Sequence, residues 1–205
     1  MKSLRLILSR PRYFAPAWVF ASLNLWFGTW AIYIPTVKAR LDIDKGELGI
    51  AIFFLSLGVF TVFPVASRLI NRIGVGRATW YGVLLCSLTA LFPLLAPDYL
   101  SLILALYAFG LSNGFTDIAM NTLVTEIEKE DKQHFMSAVH GFFSLGGVLA
   151  GIGSFLIPVL DHPPLHMAGV VVLVFLINLF FCRNYLKVKA APIEKEPFSF
   201  SLFRP

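Results

Sequence analysis

The chain has 205 residues, of which 57% are hydrophobic, 15% aromatic and only 14% charged, against about 45–50% apolar and about 25% charged in a soluble domain. That balance excludes a water-soluble globular protein. The net charge of +5 has to be located along the chain before it can be read as a nucleic-acid surface.

Residues 1–15 are basic, with Lys2, Arg5, Arg10 and Arg12. Arg5 interrupts their apolar residues and no small-residue cleavage site follows, so this is a cytoplasmic N-terminus and not a cleaved leader. A membrane span needs about 20 mostly apolar residues. Six segments meet that need: Pro16 to Val37, Leu48 to Ser67, Thr79 to Ala96, Leu100 to Val124, Phe135 to Leu160 and Leu165 to Leu186. Residues 16–186 therefore form a transmembrane bundle with short connections, and residues 187–205, rich in proline and mixed charge, form a cytoplasmic linker that is expected to stop short of a second half. Of the 17 Lys and Arg residues, 14 fall on the side that carries both termini, and only Lys38, Arg40 and Lys45 on the other. The positive-inside rule puts both termini in the cytoplasm, so basicity reports topology and no nucleic-acid partner is implied.

Span one contains Asn24, followed at helical spacing by Trp26, Trp30 and Tyr33. Asn24 either binds a solute or fastens helices, and Trp30 either lines a cavity or packs. Span two carries GIAIFFLSLGVF and span five GFFSLGGVLAG, which share Phe-Phe and Ser-Leu-Gly. Because they lie three places apart in the order of spans, an odd number, they mark two three-helix units of inverted topology. The expected fold is an all-α membrane protein of six helices in two such units. Cys86 and Cys182 lie in apolar segments with no metal or disulfide spacing, and neither a metal nor a cofactor is called for.

Span four carries the residues most at odds with a membrane. Asn113, Asp117 and Asn121 recur every four positions, and at about 100° per residue they form one polar stripe about 12 Å long, with Gly110 and Gly114 near the same face. An aspartate at mid-membrane costs about 2.5–3.5 kcal/mol on insertion scales and is by default a substrate or proton site turned to the bundle interior. The alternative is a structural acid bonded to a neighbouring helix. His140, near the start of span five, is either a proton relay or an interfacial histidine.

These residues together resemble the N-terminal half of a major facilitator superfamily transporter. SRLINRIGVGR, Ser67 to Arg77, is similar to the family's loop between spans two and three; it keeps Arg72, Gly74 and Arg77 but has Asn71 where the pattern has aspartate. DIAMN, Asp117 to Asn121, resembles the Glu-x-Ala-x-Asn of the fucose-permease-like branch and of related uncharacterised bacterial inner-membrane permeases. Where those have a second acid in span one, this chain has Thr29 or its neighbours.

The resemblance implies alternating access, with a small polar solute, a sugar among the candidates, bound at mid-membrane near Asp117, protons as a possible partner, and the bilayer around it. It also implies twelve spans, so the second six come from a longer chain, a separate chain or a second copy. Export of a drug or metabolite, or a non-transporting membrane subunit, are the alternatives. An intramembrane enzyme using His140 and Ser144 is disfavoured, since Ser144 stands in no Gly-x-Ser-x-Gly pattern, no His-Glu-x-x-His signature occurs and nucleophile and base normally come from separate elements.

Overall fold

A computed structural model describes residues 2–160 and 162–189. A short helix α1 (Lys2–Ser9) precedes α2 (Pro11–Ile32) and α3 (Ile34–Arg40). Pro11 opens α2, where its missing N–H would have been unpaired anyway. α2 and α3 meet at 43°, because Pro35 in the first turn of α3 has no N–H to return to the preceding turn. α4 (Lys45–Ile73) starts on a capping box in which Asp44 Oδ1 accepts from the Glu47 amide and Glu47 Oε2 from the Asp44 amide, both at 2.8 Å. Two otherwise unpaired donors are satisfied there.

Gly74 alone, at φ +88°, separates α4 from α5 (Val75–Thr89), and a side chain at that backbone conformation would be strained. After α6 (Phe92–Leu95), α7 (Tyr99–Asp131) is capped by Asp98, whose Oδ1 accepts from the Ser101 amide at 2.8 Å. That amide also holds the Asp98 carboxyl below the ordinary carboxylate range. α8 (Met136–Gly153), a 3-10 turn, α9 (Ile157–Leu160), α10 (Pro163–Phe181) and a last 3-10 turn at Cys182–Asn184 follow. Five helical stretches are each long and apolar enough to cross a membrane, and the bent pair of α2 and α3 supplies a sixth span.

α4 packs along α7 as α8 packs along α2, and α5 lies against α7 as α10 lies against α2. Exchanging spans one with four, two with five and three with six maps that pattern onto itself, which is the relation of two inverted units. Glycines build both seams. A Cβ on Gly58 of α4 would meet the backbone of Tyr107 and Leu111 in α7, and one on Gly146 of α8 would meet the backbone of Ala21 in α2. These are the glycines of the repeated Ser-Leu-Gly. In the same register Gly114 faces Val59 and Val62, and Gly28 faces Gly147 and Ala150. Small residues let the helices approach until backbone touches backbone, which is how helices associate where lipid is as apolar as leucine.

α5 runs antiparallel to α7, with Gly82 against Thr116 and the Thr89 hydroxyl 2.6 Å from that of Ser112. Arg12 at the start of α2 reaches Asp131 at the end of α7, and the Gly76 amide donates to the Val188 carbonyl at 3.1 Å. The start of span one, the α4–α5 turn, the α7–α8 turn and the chain leaving α10 thus share one end of the bundle.

Three boundaries differ from the sequence reading. α4 runs to Ile73 and not Ser67, so Asn71 and Arg72 are helical and the turn shrinks to Gly74. α7 has 33 residues, about 50 Å of helix against about 30 Å of hydrocarbon, so its charged last turns extend past the apolar slab. Residues 2–9 are a helix packed on the bundle through buried Ile7, with the Ser3 hydroxyl donating to the His134 carbonyl at 3.0 Å. Tyr185 to Lys189 fold back toward α5; the remainder of the expected linker, residues 190–205, lies outside the described residues.

Candidate functional site

α7 is held by its neighbours on two sides. Gly110 and Gly114 seat it against α4, and Thr116 and Ser112 seat it against α5. Asp117, two residues past the middle of the helix, is left half-buried, as are Asn113 and Asn121. Asn121 Nδ2 donates to the Asp117 carbonyl at 2.9 Å and to Asp117 Oδ1 at 3.1 Å. No other hydrogen bond to the Asp117 carboxylate, and none to the Asn113 carboxamide, is present among the described residues. The carboxylate is oriented by its own helix and offered outward.

His140 of α8 is exposed and lies close enough to Asp117 for their charges to interact. Its ring meets the edge of buried Phe20 from α2, centroids 5.2 Å apart and planes at 81°. α7 thus contributes a carboxylate and a carboxamide side by side, and α8 an imidazole that rests on the Phe20 ring of α2. Such a set offers hydrogen-bond donors and acceptors to a polar solute.

The other residues singled out from the sequence stand elsewhere. Asn24 Nδ2 donates to the Phe143 carbonyl at 3.0 Å and occupies the space left by Gly147, so its amide ties α2 to α8. Trp30 is buried in the core. Thr29 is buried too, its hydroxyl donating to the Leu25 carbonyl of its own helix at 2.7 Å, so the stripe has no partner acid in span one. Asn71, Arg72 and Arg77 are exposed around Gly74 at the far end of α4. Cys86 and Cys182 are buried and free, and no group suited to hold a metal occurs among the described residues.

Sequence reasoning passed over several polar residues that organise the bundle. Arg12 donates through Nε to Asp131 at 2.6 Å and through Nη2 to Asp131 at 3.1 Å and Glu130 at 2.6 Å, which ties the start of span one to the end of span four. Tyr33, at the α2–α3 bend, hydrogen-bonds His166 Nδ1 at 2.9 Å, and Asn178 Nδ2 donates to the Ser22 hydroxyl at 3.3 Å. His166 and Asn178 are lone polar residues in an apolar span, the signal that singled out Asp117, but a lone residue does not reveal its partner.

Six spans in two three-helix units, with an aspartate near the middle of the longest of the described helices, describe a multi-pass membrane protein. The Major Facilitator Superfamily profile matches residues 17–205, and the chain belongs to that family. It is 33% identical over 138 residues to an uncharacterized transporter of Sinorhizobium fredii, covering 66% of this chain and 36% of the relative. It is 28% identical over 183 residues to an uncharacterized MFS-type transporter of Yersinia pestis, covering 88% of this chain and 47% of the relative. It is also 28% identical over 141 residues to the membrane protein MosC of Rhizobium meliloti, covering 69% and 34%. The chain spans about a third to a half of the length of these relatives. The family, and the names of two of the relatives, are those of transporters and not of enzymes.

Proposed function

We propose that the chain is the N-terminal half of a secondary transporter that carries a small polar solute across the cytoplasmic membrane by alternating access, with both termini in the cytoplasm. Asp117 is the central acid, Asn121 its orienting partner, and Asn113 and His140 complete the site. The observation that carries this reading is that the Asp117 carboxylate bonds no neighbouring helix. A structural acid in a bilayer is held by another span, whereas this one is paired within its own helix and otherwise open. A second six-helix half, from the same polypeptide, a separate one or a second copy, closes the site from the other side. The carboxylate and carboxamides of α7 suit hydroxyl-bearing solutes such as sugars, and an acid with an imidazole on the facing helix supports proton-coupled uptake.

The test is solute-driven proton movement in proteoliposomes of the protein as the cell makes it, screened against sugars, polyols and amino acids. One of these solutes is expected to drive uptake of protons, Asp117→Asn to reduce the signal to background, and Asp117→Glu to retain it. Full activity in Asp117→Asn removes the carboxylate from the mechanism. A response only in inverted vesicles favours the second reading, an exporter of the same superfamily.

A further inference from the structure

The α4–α5 turn and the chain leaving α10 enclose a cavity of about 860 Å³ at the end of the bundle where the chain enters. Asn71, Arg72 and Arg77 line it from one side, Lys187 and Lys189 from the other. The segment that brings the two lysines is docked in place: the Gly76 amide donates to the Val188 carbonyl at 3.1 Å, and a Cβ on Gly76 would collide with the Tyr185 carbonyl. Gly74, at φ +88°, turns the chain so that Arg72 and Arg77 flank the same opening.

Four cations meet here, and among the described residues no carboxylate lines the cavity or forms an ion pair with any of them. Three other basic residues are settled internally. Arg12 is held by Glu130 and Asp131, Lys129 by Glu126, and Arg40 by the carbonyls of Leu94 and Ala96. Like charges gathered round a cavity repel and focus a positive potential on an incoming anion, and Asn71 adds a carboxamide that can donate. The helices that lead to this rim present exposed apolar surface, with Phe63, Val65 and Leu69 on α4 and Leu176, Leu179 and Phe180 on α10.

We propose that this cavity binds a phosphate-bearing anion, and that its source is the headgroup of an anionic phospholipid whose acyl chains lie along α4 and α10. Basic pockets at helix ends on one side of a membrane are suited to such headgroups. The site stands apart from Asp117 and does not depend on the transport reading.

The test is lipid binding to the detergent-purified protein, as the cell makes it, by native mass spectrometry with phosphatidylglycerol, phosphatidylcholine and, separately, inorganic phosphate. Phosphatidylglycerol is expected to bind in preference to phosphatidylcholine. Combined Arg72→Gln, Arg77→Gln, Lys187→Gln and Lys189→Gln should weaken it about tenfold or more, since each cation near an anionic surface contributes roughly a factor of five at most. A control that removes the same charge elsewhere, Arg5→Gln, Arg10→Gln, Lys38→Gln and Lys45→Gln, should leave it within about twofold. If the fourfold site variant does not fold, the pair Arg77→Gln and Lys189→Gln should still show a several-fold loss. Binding of inorganic phosphate without lipid, lost in the same variant, overturns the lipid source and keeps the anion site. Equal losses in site and control variants, or no preference for phosphatidylglycerol, overturn the proposal.

Discussion

The α4–α7 and α2–α8 seams are built to one plan and part company at a few positions. In the first, Gly110 lets the Leu55 carbonyl approach the backbone of α7. At the corresponding point of the second, four residues before Gly28 as Gly110 is four before Gly114, stands Asn24, which bridges to the Phe143 carbonyl at 3.0 Å. Phe143 precedes Gly146 by three, as Leu55 precedes Gly58. One repeat closes the seam by removing a side chain, the other by a hydrogen bond.

Carried further along, the same register sets Asn113, Asp117 and Asn121 of α7 against Phe27, Ala31 and Pro35 of span one. The common scaffold is therefore met by phenylalanine, alanine and proline, and the polar stripe of α7 is an addition that packing does not require. This contrast is the physical argument for giving Asp117 a function and Asn24 a structural task.

Substitutions that break the comparison begin with the shared glycines. Gly146→Val puts side-chain atoms onto the Ala21 backbone and should cost about 3 kcal/mol or more, or prevent assembly. Gly58→Val should do the same at the other seam, both read as thermal unfolding in detergent. Gly151→Ala, where a Cβ meets nothing within 4 Å, should lose nothing and can gain up to about 1 kcal/mol of helix propensity. Next comes Asn24→Ala, which removes one interhelical bond and should cost about 0.6 to 1.7 kcal/mol. Gly110 has no such bond to lose, and this is where the seams are expected to differ. The smallest effect is at the stripe: Asp117→Ala should change stability by no more than about 0.5 kcal/mol. A loss above about 1.5 kcal/mol at Asp117 would make it a structural acid and dissolve the contrast.

The number of spans and their inverted pairing were legible because membrane length and a repeated pattern are properties of one helix at a time. The repeated Ser-Leu-Gly marked the pairing of spans two and five, while the seams that its glycines Gly58 and Gly146 build are visible only in the structure. What one helix cannot show is which of its faces meets which neighbour. Asn24 and Asp117 look alike in sequence, a polar residue amid apolar ones, yet Asn24 is consumed by the Phe143 carbonyl and Asp117 is not. Trp30 shares the helical spacing of a cavity lining but is turned into the core. Helix α1 had a readable signal in Leu4, Ile7 and Leu8, spaced three and four apart. Four nearby positive charges drew the reading to topology instead. The Arg12 bridge to Glu130 and Asp131 joins residues more than a hundred positions apart, a pairing that spacing does not encode.

The most direct test of Asp117 as a transport residue asks whether water reaches it. With Cys86→Ala and Cys182→Ala as background, Asp117→Cys, Asn121→Cys and Thr116→Cys are each exposed, in the intact membrane, to a membrane-impermeant thiol reagent from either side. The stripe positions are expected to react and to change in rate when a transported solute is added, while position 116, buried against α5, stays unlabelled. No reaction at 117 from either side, with the protein inserted and folded, would contradict a solvated central acid.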